Sequence, residues 1–202
     1  MQPLGTPQTD PPKGYFTGIG SRDTPEQYLI ILEEASRYIT STHKLMLRSG
    51  HAVGADRACE VGAQGYATIY LPWHGYGVKS YRDDPGMTIM GHTYVPTEKK
   101  FPEMTAIAEF MCSLVDKSSY QSMRRGIKTL MFRNIFQLLG HSSKSVYSKL
   151  ILCYDPGTGG TSYTTALARH FNIPIINVID KDLDTVLSEI SKTLTVPKRK
   201  LL

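Results

Sequence analysis

Short apolar runs with the length of buried strands alternate along the chain with stretches of helical periodicity. The runs occupy residues 15–17, 45–47, 67–72, 150–154 and 173–179. Amphipathic helices are predicted from residue 24 to about 41 and over 57–64, 103–117, 119–139, 162–170 and 182–194. Strands alternating with helices predict an α/β fold, namely a Rossmann-like parallel sheet with helices on both faces, right-handed crossovers and a helical insertion before the fourth strand.

Three of the predicted strands lead into glycine-rich loops that open helices. The first glycine loop is G-I-G-S-R (18–22), the second is R-S-G-H-A-V-G-A-D (48–56) and the third is P-G-T-G-G-T (156–161). Unpaired backbone N–H groups and the helix dipole favour an anion at such a junction. One loop alone would be an ordinary turn, but three of them predict a shared phosphate site at the carboxyl edge of the sheet.

The candidate phosphate or nucleotide ligands are the small and polar residues of these loops. Arg22 is expected to pair with phosphate, and Asp56 to cap the second helix or hold a ribose hydroxyl. Thr24 is predicted to cap the first helix in a capping box with Gln27. The full candidate set is Gly18, Gly20, Ser21, Arg22, Arg48, Ser49, Gly50, Gly54, Asp56, Gly159, Gly160 and Thr161.

An aromatic loop, W-H-G-Y-G (73–77), follows the third strand. Because ligands of open α/β sheets bind at the carboxyl ends of strands, Trp73 and Tyr76 are candidates for stacking on a base. The alternative is that Trp73 packs beneath the loop as part of the core. His74 is interpreted as a surface residue rather than a catalytic base.

The region 79–145 is predicted to be an insertion into a single domain spanning 14–195. It begins with a long loop, 79–102, that could serve as a lid. A core stripe is predicted on its second helix, whereas Phe132 and Phe136 are expected to leave apolar surface for an oligomer contact. The stripe consists of Met123, Ile127, Leu130, Met131, Ile135 and Leu138. Residues 1–13 are predicted to be a disordered leader, and 196–202 a basic tail.

Composition narrows the functional classes. The three cysteines are scattered without a CxxC pair, and no apolar stretch is long enough to cross a bilayer, so a cytoplasmic protein with reduced thiols and no membrane contact is expected. No P-loop, G-x-S-x-G motif or metal-ligand spacing is present, and neither a metal nor a cofactor is expected. The net charge of +5 permits contact with nucleic acid.

The three loops together resemble the Rossmann-type domain of the SLOG superfamily. That domain is shared by the DNA-processing protein DprA/Smf and the "lonely guy" nucleotide phosphoribohydrolases. The resemblance covers about 14–180 apart from 79–145, and S-G-x-A-x-G-x-D is its specific part. It is closest to small stand-alone DprA-like proteins of bacteriophages and prophages, including the stretch R-N-I-F-Q-L-L-G before the fourth strand.

The resemblance to DprA implies a positively charged pocket that binds single-stranded DNA, a role in DNA recombination and a homodimer. The residues that would bind the strand are Arg22, Arg48, Lys79, Arg82 and the basic face of 124–133, with Trp73 and Tyr76 for stacking.

The phosphoribohydrolase resemblance implies cleavage of an N-glycosidic bond in a nucleoside monophosphate. The catalytic Glu of the P-G-G-x-G-T-x-x-E loop has no counterpart here, because Thr161 is followed by Ser-Tyr-Thr-Thr. Asp56 or Glu60 could substitute as the catalytic carboxylate. A third implied role is a sensor or sink of a nucleotide signal such as an ADP-ribose derivative. The missing Glu favours binding over hydrolysis.

Overall fold

A six-stranded parallel sheet forms the centre of the computed structural model, which describes residues 11–77, 93–115, 119–141 and 146–195. The strand order is β4-β3-β2-β1-β5-β6, as in a Rossmann-like fold, and the predicted fold class is confirmed. The strands are β1 (Tyr15–Gly20), β2 (Met46–Ser49), β3 (Ala67–Tyr70), β4 (Thr93–Tyr94), β5 (Ile151–Tyr154) and β6 (Ile175–Asn177).

Helices cover both faces of the sheet. The helices α1 (Glu26–His43), α2 (Ala55–Ala63) and α6 (Leu183–Thr195) pack on one face around Phe16 and Leu47. The other face is covered by α3 (Glu103–Ser113), α4 (Arg125–Leu139) and α5 (Gly160–His170), with a short 3₁₀ turn at Tyr120–Ser122. None of the described helices combines the length and the apolar character needed to cross a membrane.

The starts of two helices differ from the prediction. The N-cap of α1 is Pro25, with no side-chain hydrogen bond, because the Thr24 hydroxyl instead donates to the Ser21 carbonyl at 2.7 Å. The N-cap of α2 is Gly54, whose φ of 83° and ψ of −129° suit glycine. Asp56 therefore lies inside the first turn of α2, and both predicted caps are wrong.

A strand that the sequence did not predict, β4, lies within the expected long loop 79–102. It pairs with β3 through Ile69 and Thr93. Its two residues are too few to produce a recognisable alternation of apolar and polar positions. The predictions made for residues 1–10, 78–92 (with Lys79 and Arg82) and 196–202 lie outside the described residues.

Helix α4 is more deeply buried than its apolar stripe predicts. The stripe residues Met131, Ile135 and Leu138 are in the core as expected, but Ile127 is exposed near the start of the helix. Phe132 and Phe136 are also buried, so the expected oligomer surface at these two residues is wrong. The reason is that α4 packs against the sheet and also against α3 and α5, which covers the helix on several sides.

Candidate functional site

The three glycine loops follow the neighbouring strands β1, β2 and β5, and the strand order reverses between β1 and β5. The backbone N–H of Ser21 in the first loop donates to Tyr154 O at 3.1 Å, just before the third loop. The N–H of Ala55 in the second loop donates to Ser21 O at 3.2 Å. The predicted convergence is therefore confirmed, and it falls at the position where open α/β sheets bind ligands.

Asp155, a residue that was not predicted to belong to the site, fixes the conformation of the third loop through hydrogen bonds. One carboxylate oxygen accepts the Gly157 N–H at 2.9 Å, and the other accepts the Thr165 hydroxyl at 2.7 Å. The Asp155 backbone also pairs with the side chain of Asn177 in β6. An Asp two residues before a Gly at the end of a strand is a turn signal, and this signal could have identified Asp155 from the sequence.

At Gly157 and Gly159, the backbone of the third loop is not covered by side chains of the described residues. Gly157 and Gly159 have φ of 83° and 75°, and no described atom lies within 4 Å of the position that a Cβ would occupy on either. Gly159 is the N-cap of α5, and no side chain caps that helix. The first N–H groups of α5 consequently carry the positive end of the helix dipole at an open edge of the protein.

The other two predicted ligands in this loop lie nearer to α4. A Cβ on Gly160 would lie 3.4 Å from Met131 Cε, and the side chain of Thr161 is buried. Asn134 of α4 reaches the Gly160 carbonyl through its amide at 3.4 Å. Helix α4 thus packs beside the start of α5.

Arg22 provides positive charge beside these loops. Its side chain is exposed, and among the described residues no hydrogen bond or ion pair engages its guanidinium. Its carbonyl would be 2.7 Å from a Cβ on Gly54, so the backbones of the first and second loops are in contact. The half-buried Ser21 keeps its hydroxyl in the same loop, where the oxygen accepts the Asp23 N–H at 3.1 Å.

Asp56 joins the first two loops from inside the protein. Its two carboxylate oxygens accept the N–H groups of Gly20 at 3.2 Å and Gly50 at 3.1 Å. Arg133 Nη1 and Gln137 Nε2, both from α4, lie 3.4 and 3.5 Å from the same carboxylate. The amides of Gly20 and Gly50, which were predicted to contact phosphate, are therefore engaged with Asp56 in this structure.

Arg133 occupies the space above Gly50. A methyl group on Gly50 would overlap the Arg133 guanidinium, so the second loop needs glycine at this position. The expectation that Arg133 lies on an exposed basic face is wrong, because the residue is buried and paired with Asp56. Its guanidinium carbon also lies 5.9 Å from the centre of the Tyr76 ring, which connects the Asp56 cluster to the aromatic loop.

Glu60 organises the inner part of the second loop. One oxygen accepts the Ser49 hydroxyl at 2.6 Å and the His51 N–H at 3.0 Å, while the other lies 2.8 Å from His51 Nδ1. His51 has a φ of 64°, a conformation uncommon for a residue with a side chain. The two candidate catalytic carboxylates, Asp56 and Glu60, are only 2% and 1% exposed.

The structure places two predicted ligands away from the loop edge. Gly18 lies within β1, where a Cβ would be 2.6 Å from Cys59 Cβ, so this glycine allows α2 to pack closely on the strand. Arg48 is buried on the α4 side of the sheet, where it donates to Val146 O at 2.9 Å and stacks over Tyr15 at 3.8 Å. Burial lowers the pKa of the Arg48 guanidinium.

In the aromatic loop Trp73 is exposed to solvent, whereas Tyr76 is half-buried. Trp73 is 43% exposed and meets Tyr76 edge-to-face with ring centres 5.0 Å apart. The alternative that Trp73 belongs to the core is therefore wrong, because the indole lies outside both hydrophobic clusters. His74 is exposed, as expected for a surface residue. No group of three His, Cys, Asp or Glu residues within the described ranges could hold a metal ion.

Two solved structures of DNA processing protein A (DprA) are similar in fold to this chain. The protein from Helicobacter pylori, described for its single-stranded DNA binding mode, gives a TM-score of 0.46 at 12% identity over 92% of this chain and 82% of its own. The protein from Streptococcus pneumoniae gives 0.49 at 14% identity over 89% of this chain and 56% of its own. No family model matches the chain, and no curated protein matches it in sequence.

The buried Asp56 carboxyl should make folding stability depend on pH. Burial raises its pKa to about 6, with Arg133 and the two amide hydrogen bonds opposing the shift and Glu60 adding to it. Because the folded state holds the proton more tightly than the unfolded chain does, the resulting stabilisation is complete below about pH 4 and is lost as the pH rises through 6.

The expected change is about 3 kcal/mol in the free energy of unfolding between pH 4 and 7, for a shift of about two pKa units. Urea unfolding of the wild type and of Asp56→Asn, compared at each pH, isolates this change because the variant lacks the titrating group. A constant difference between the two proteins across that interval would contradict the raised pKa.

Proposed function

We propose that the protein binds single-stranded DNA through its backbone phosphates at the third glycine loop and Arg22, as a DprA-like, non-catalytic protein of DNA processing or recombination. The observation that carries this proposal is the uncapped start of α5, preceded by two open glycines and placed where the strand order reverses. A phosphate there would receive backbone N–H groups and the helix dipole, and Arg22 follows Ser21, whose N–H donates to Tyr154 O just before this loop.

The aromatic and basic groups around the site favour single-stranded DNA over a single nucleotide as the ligand. The exposed Trp73 and the half-buried Tyr76, which meets it edge-to-face, offer aromatic surface on which unpaired bases can stack. Arg124 and Arg125 are exposed at the start of α4, the helix whose Met131 approaches the third loop. Since bases in a duplex are already stacked, accessible rings favour a single strand.

Hydrolysis of an N-glycosidic bond is disfavoured by the positions of the candidate carboxylates. An oxocarbenium-like transition state requires a carboxylate that faces the sugar. Asp56 and Glu60 are both buried, and all four of their oxygens lie within hydrogen-bonding distance of protein groups. An N-glycosidase, or a sensor or sink of a nucleotide signal, remains an outcome that the following experiment would reveal.

A fluorescent oligonucleotide titrated at 50 and 200 mM salt tests the proposal. If about three phosphates are neutralised, affinity should fall roughly 20-fold between the two salt concentrations. Arg22→Ala should weaken binding about ten- to a hundred-fold, corresponding to roughly 1.5–3 kcal/mol for a charged hydrogen-bonded contact. Arg37→Ala is the matched control, because it removes an arginine that pairs with Glu33 on α1.

The same titration distinguishes the alternatives when a panel of nucleoside monophosphates is run beside it. Saturation by one small ligand with weak salt dependence, and no affinity for the oligonucleotide at low salt, would replace DNA binding by nucleotide binding. Release of free base from a nucleoside monophosphate would establish an enzyme.

Gly159→Ala should weaken oligonucleotide binding at least ten-fold. Gly159 has φ 75° and ψ −165°, a region essentially restricted to glycine, so alanine must either bear about 1–3 kcal/mol of strain or move the loop. Gly126→Ala is the control, because its Cβ would also meet nothing within 4 Å but would lie in the first turn of α4. Equal oligonucleotide affinities for the two variants would argue against the third loop as the phosphate site.

A further inference from the structure

A concavity lies on the α4 side of the sheet, against the outer strands β3 and β4, and His74 of the aromatic loop is part of its lining. Its volume is about 300 Å³, at the lower end of the range for small-molecule sites, so it suits a ligand of one or two rings. The described residues that form its walls are largely aromatic: Tyr70, Tyr94, Phe101, Phe136 and His141.

Three of the rings form an ordered group. Tyr94 stacks on His141 with centres 4.3 Å apart and planes 27° apart, and on Tyr70 with centres 5.7 Å apart and planes 25° apart. Phe136 of α4 packs against Tyr70 with ring centres 6.0 Å apart and against Phe101 with ring centres 4.9 Å apart. Tyr70 and Phe136 are buried beneath the pocket, so the rings that reach its surface are the half-buried rings of Tyr94, Phe101 and His141.

Polar groups are few and specifically placed. The Tyr70 hydroxyl and His141 Nδ1 lie 3.0 Å apart on the pocket wall. Lys100 and His74, both exposed, also line the pocket. The described residues that line it include no Asp or Glu, and Lys100 is an exposed basic residue among them.

We propose that this pocket holds the base of one nucleotide, with the attached phosphate directed toward Lys100. The partly exposed rings of Tyr94, Phe101 and His141 favour a planar heterocycle, and the lysine favours a ligand that carries a negative charge outside the ring. The inference deepens the proposed DNA-binding function and rests on it. His74 supports the connection, because it lines the pocket and belongs to the same loop as Trp73 and Tyr76.

A pair of variants at Thr93 tests the pocket. Thr93 is exposed, lines the pocket and lies on the edge strand β4, so a large side chain there can fill the cavity without entering the core. Thr93→Trp should weaken oligonucleotide binding about five- to a hundred-fold, the range measured when one base loses its stacking partner. Thr93→Val, which has nearly the shape of threonine, should bind like the wild type. Tyr94→Ala, with Tyr94→Phe beside it, supplies an independent pair that removes a wall.

Crosslinking locates the base directly. An oligonucleotide carrying 5-iodouracil, irradiated with the wild-type protein, should attach to a peptide containing Tyr94 or Phe101, and Thr93→Trp should abolish that product. If the oligonucleotide binds with the expected dependence on Arg22 but crosslinks elsewhere, and Thr93→Trp binds like the wild type, the pocket proposal is overturned while DNA binding stands.

Free nucleosides test the pocket proposal independently of the DNA-binding proposal. If no oligonucleotide binds, the proposed function fails, and saturation-transfer NMR with adenosine and thymidine then tests the pocket alone. Nucleoside signals that Thr93→Trp removes and Thr93→Val retains would support the pocket. No nucleoside signal with the wild type would overturn it.

Discussion

Replacing Gly50 by alanine should destabilise the protein by about 3–5 kcal/mol, the range observed when a buried ion pair is broken. The added methyl group would overlap the Arg133 guanidinium, and it would lie 2.9 Å from the nearer Asp56 oxygen. Arg133 must move, but it is buried on a helix that is itself fixed against the sheet. Asp56 would then lose its charged partner while remaining buried.

A thermodynamic cycle with Arg133→Ala tests this explanation by urea unfolding. Arg133→Ala is itself destabilising, since it leaves Asp56 without its charged partner, but it also clears the space above Gly50. Gly50→Ala should therefore cost at least 1.5 kcal/mol less in that background than in the wild type. Equal costs in the two backgrounds would show that the guanidinium is not what excludes a side chain at this position.

The consequence for function follows from the amides that Asp56 holds. Its carboxylate fixes the N–H groups of Gly20 and Gly50, and thus sets the positions of the first two loops relative to each other. Gly50→Ala should accordingly weaken oligonucleotide binding as well as stability, although Gly50 itself offers no free amide. The glycine in S-G-H-A-V-G-A-D is thus explained by an arginine 83 positions later in the chain.

The architecture could be predicted because it depends on local patterns. Apolar runs such as 150–154 and the helical stripe of 182–194 give the order of strands and helices. Parallel strands joined by right-handed crossovers then place the glycine loops at one edge. The convergence of the loops followed from this rule and from nothing specific to their side chains.

The interior of the site could not be predicted, because it depends on pairs that are distant in sequence. Asp56 and Arg133 are 77 residues apart, and nothing near either of them indicates the other. One signal was present, since Arg133 lies within a stretch of mostly apolar residues, where a charged side chain usually has a buried partner. Arg133 was instead assigned to an exposed basic helical face, the more usual position of an arginine, and its apolar neighbours in the sequence were not taken into account.

Arg48 was misplaced for a different reason. It precedes Ser49 and Gly50, so it was grouped with their loop, but strand β2 extends through Ser49. Side chains alternate between the two faces of a strand, and Arg48 consequently faces the α4 side of the sheet with Met46. The position at which β2 ends thus decides whether Arg48 belongs to the strand or to the loop. A pattern of apolar residues locates such an end only to within one or two residues.

Glu60→Ala should also destabilise the protein by about 3–5 kcal/mol, because it leaves several buried donors without their acceptor. The Ser49 hydroxyl, the His51 N–H and the His51 ring all lie within hydrogen-bonding distance of this one carboxylate. These contacts also hold His51 at its positive φ, which carries strain of its own. Glu60→Gln keeps an acceptor for the first two donors, and a change of imidazole tautomer lets His51 accept from the new amide, so it should cost only about 1–2 kcal/mol.

The comparison of these two variants separates a structural Glu60 from a catalytic one. A structural role predicts a graded loss of stability, with alanine worse than glutamine, and oligonucleotide binding that is nearly unchanged in Glu60→Gln. A catalytic role predicts that Glu60→Gln abolishes base release from a nucleoside monophosphate while its unfolding midpoint hardly moves. Because Glu60 is 1% exposed and its oxygens face Ser49 and His51, the first outcome is expected, and unfolding curves measured beside a base-release assay decide between them.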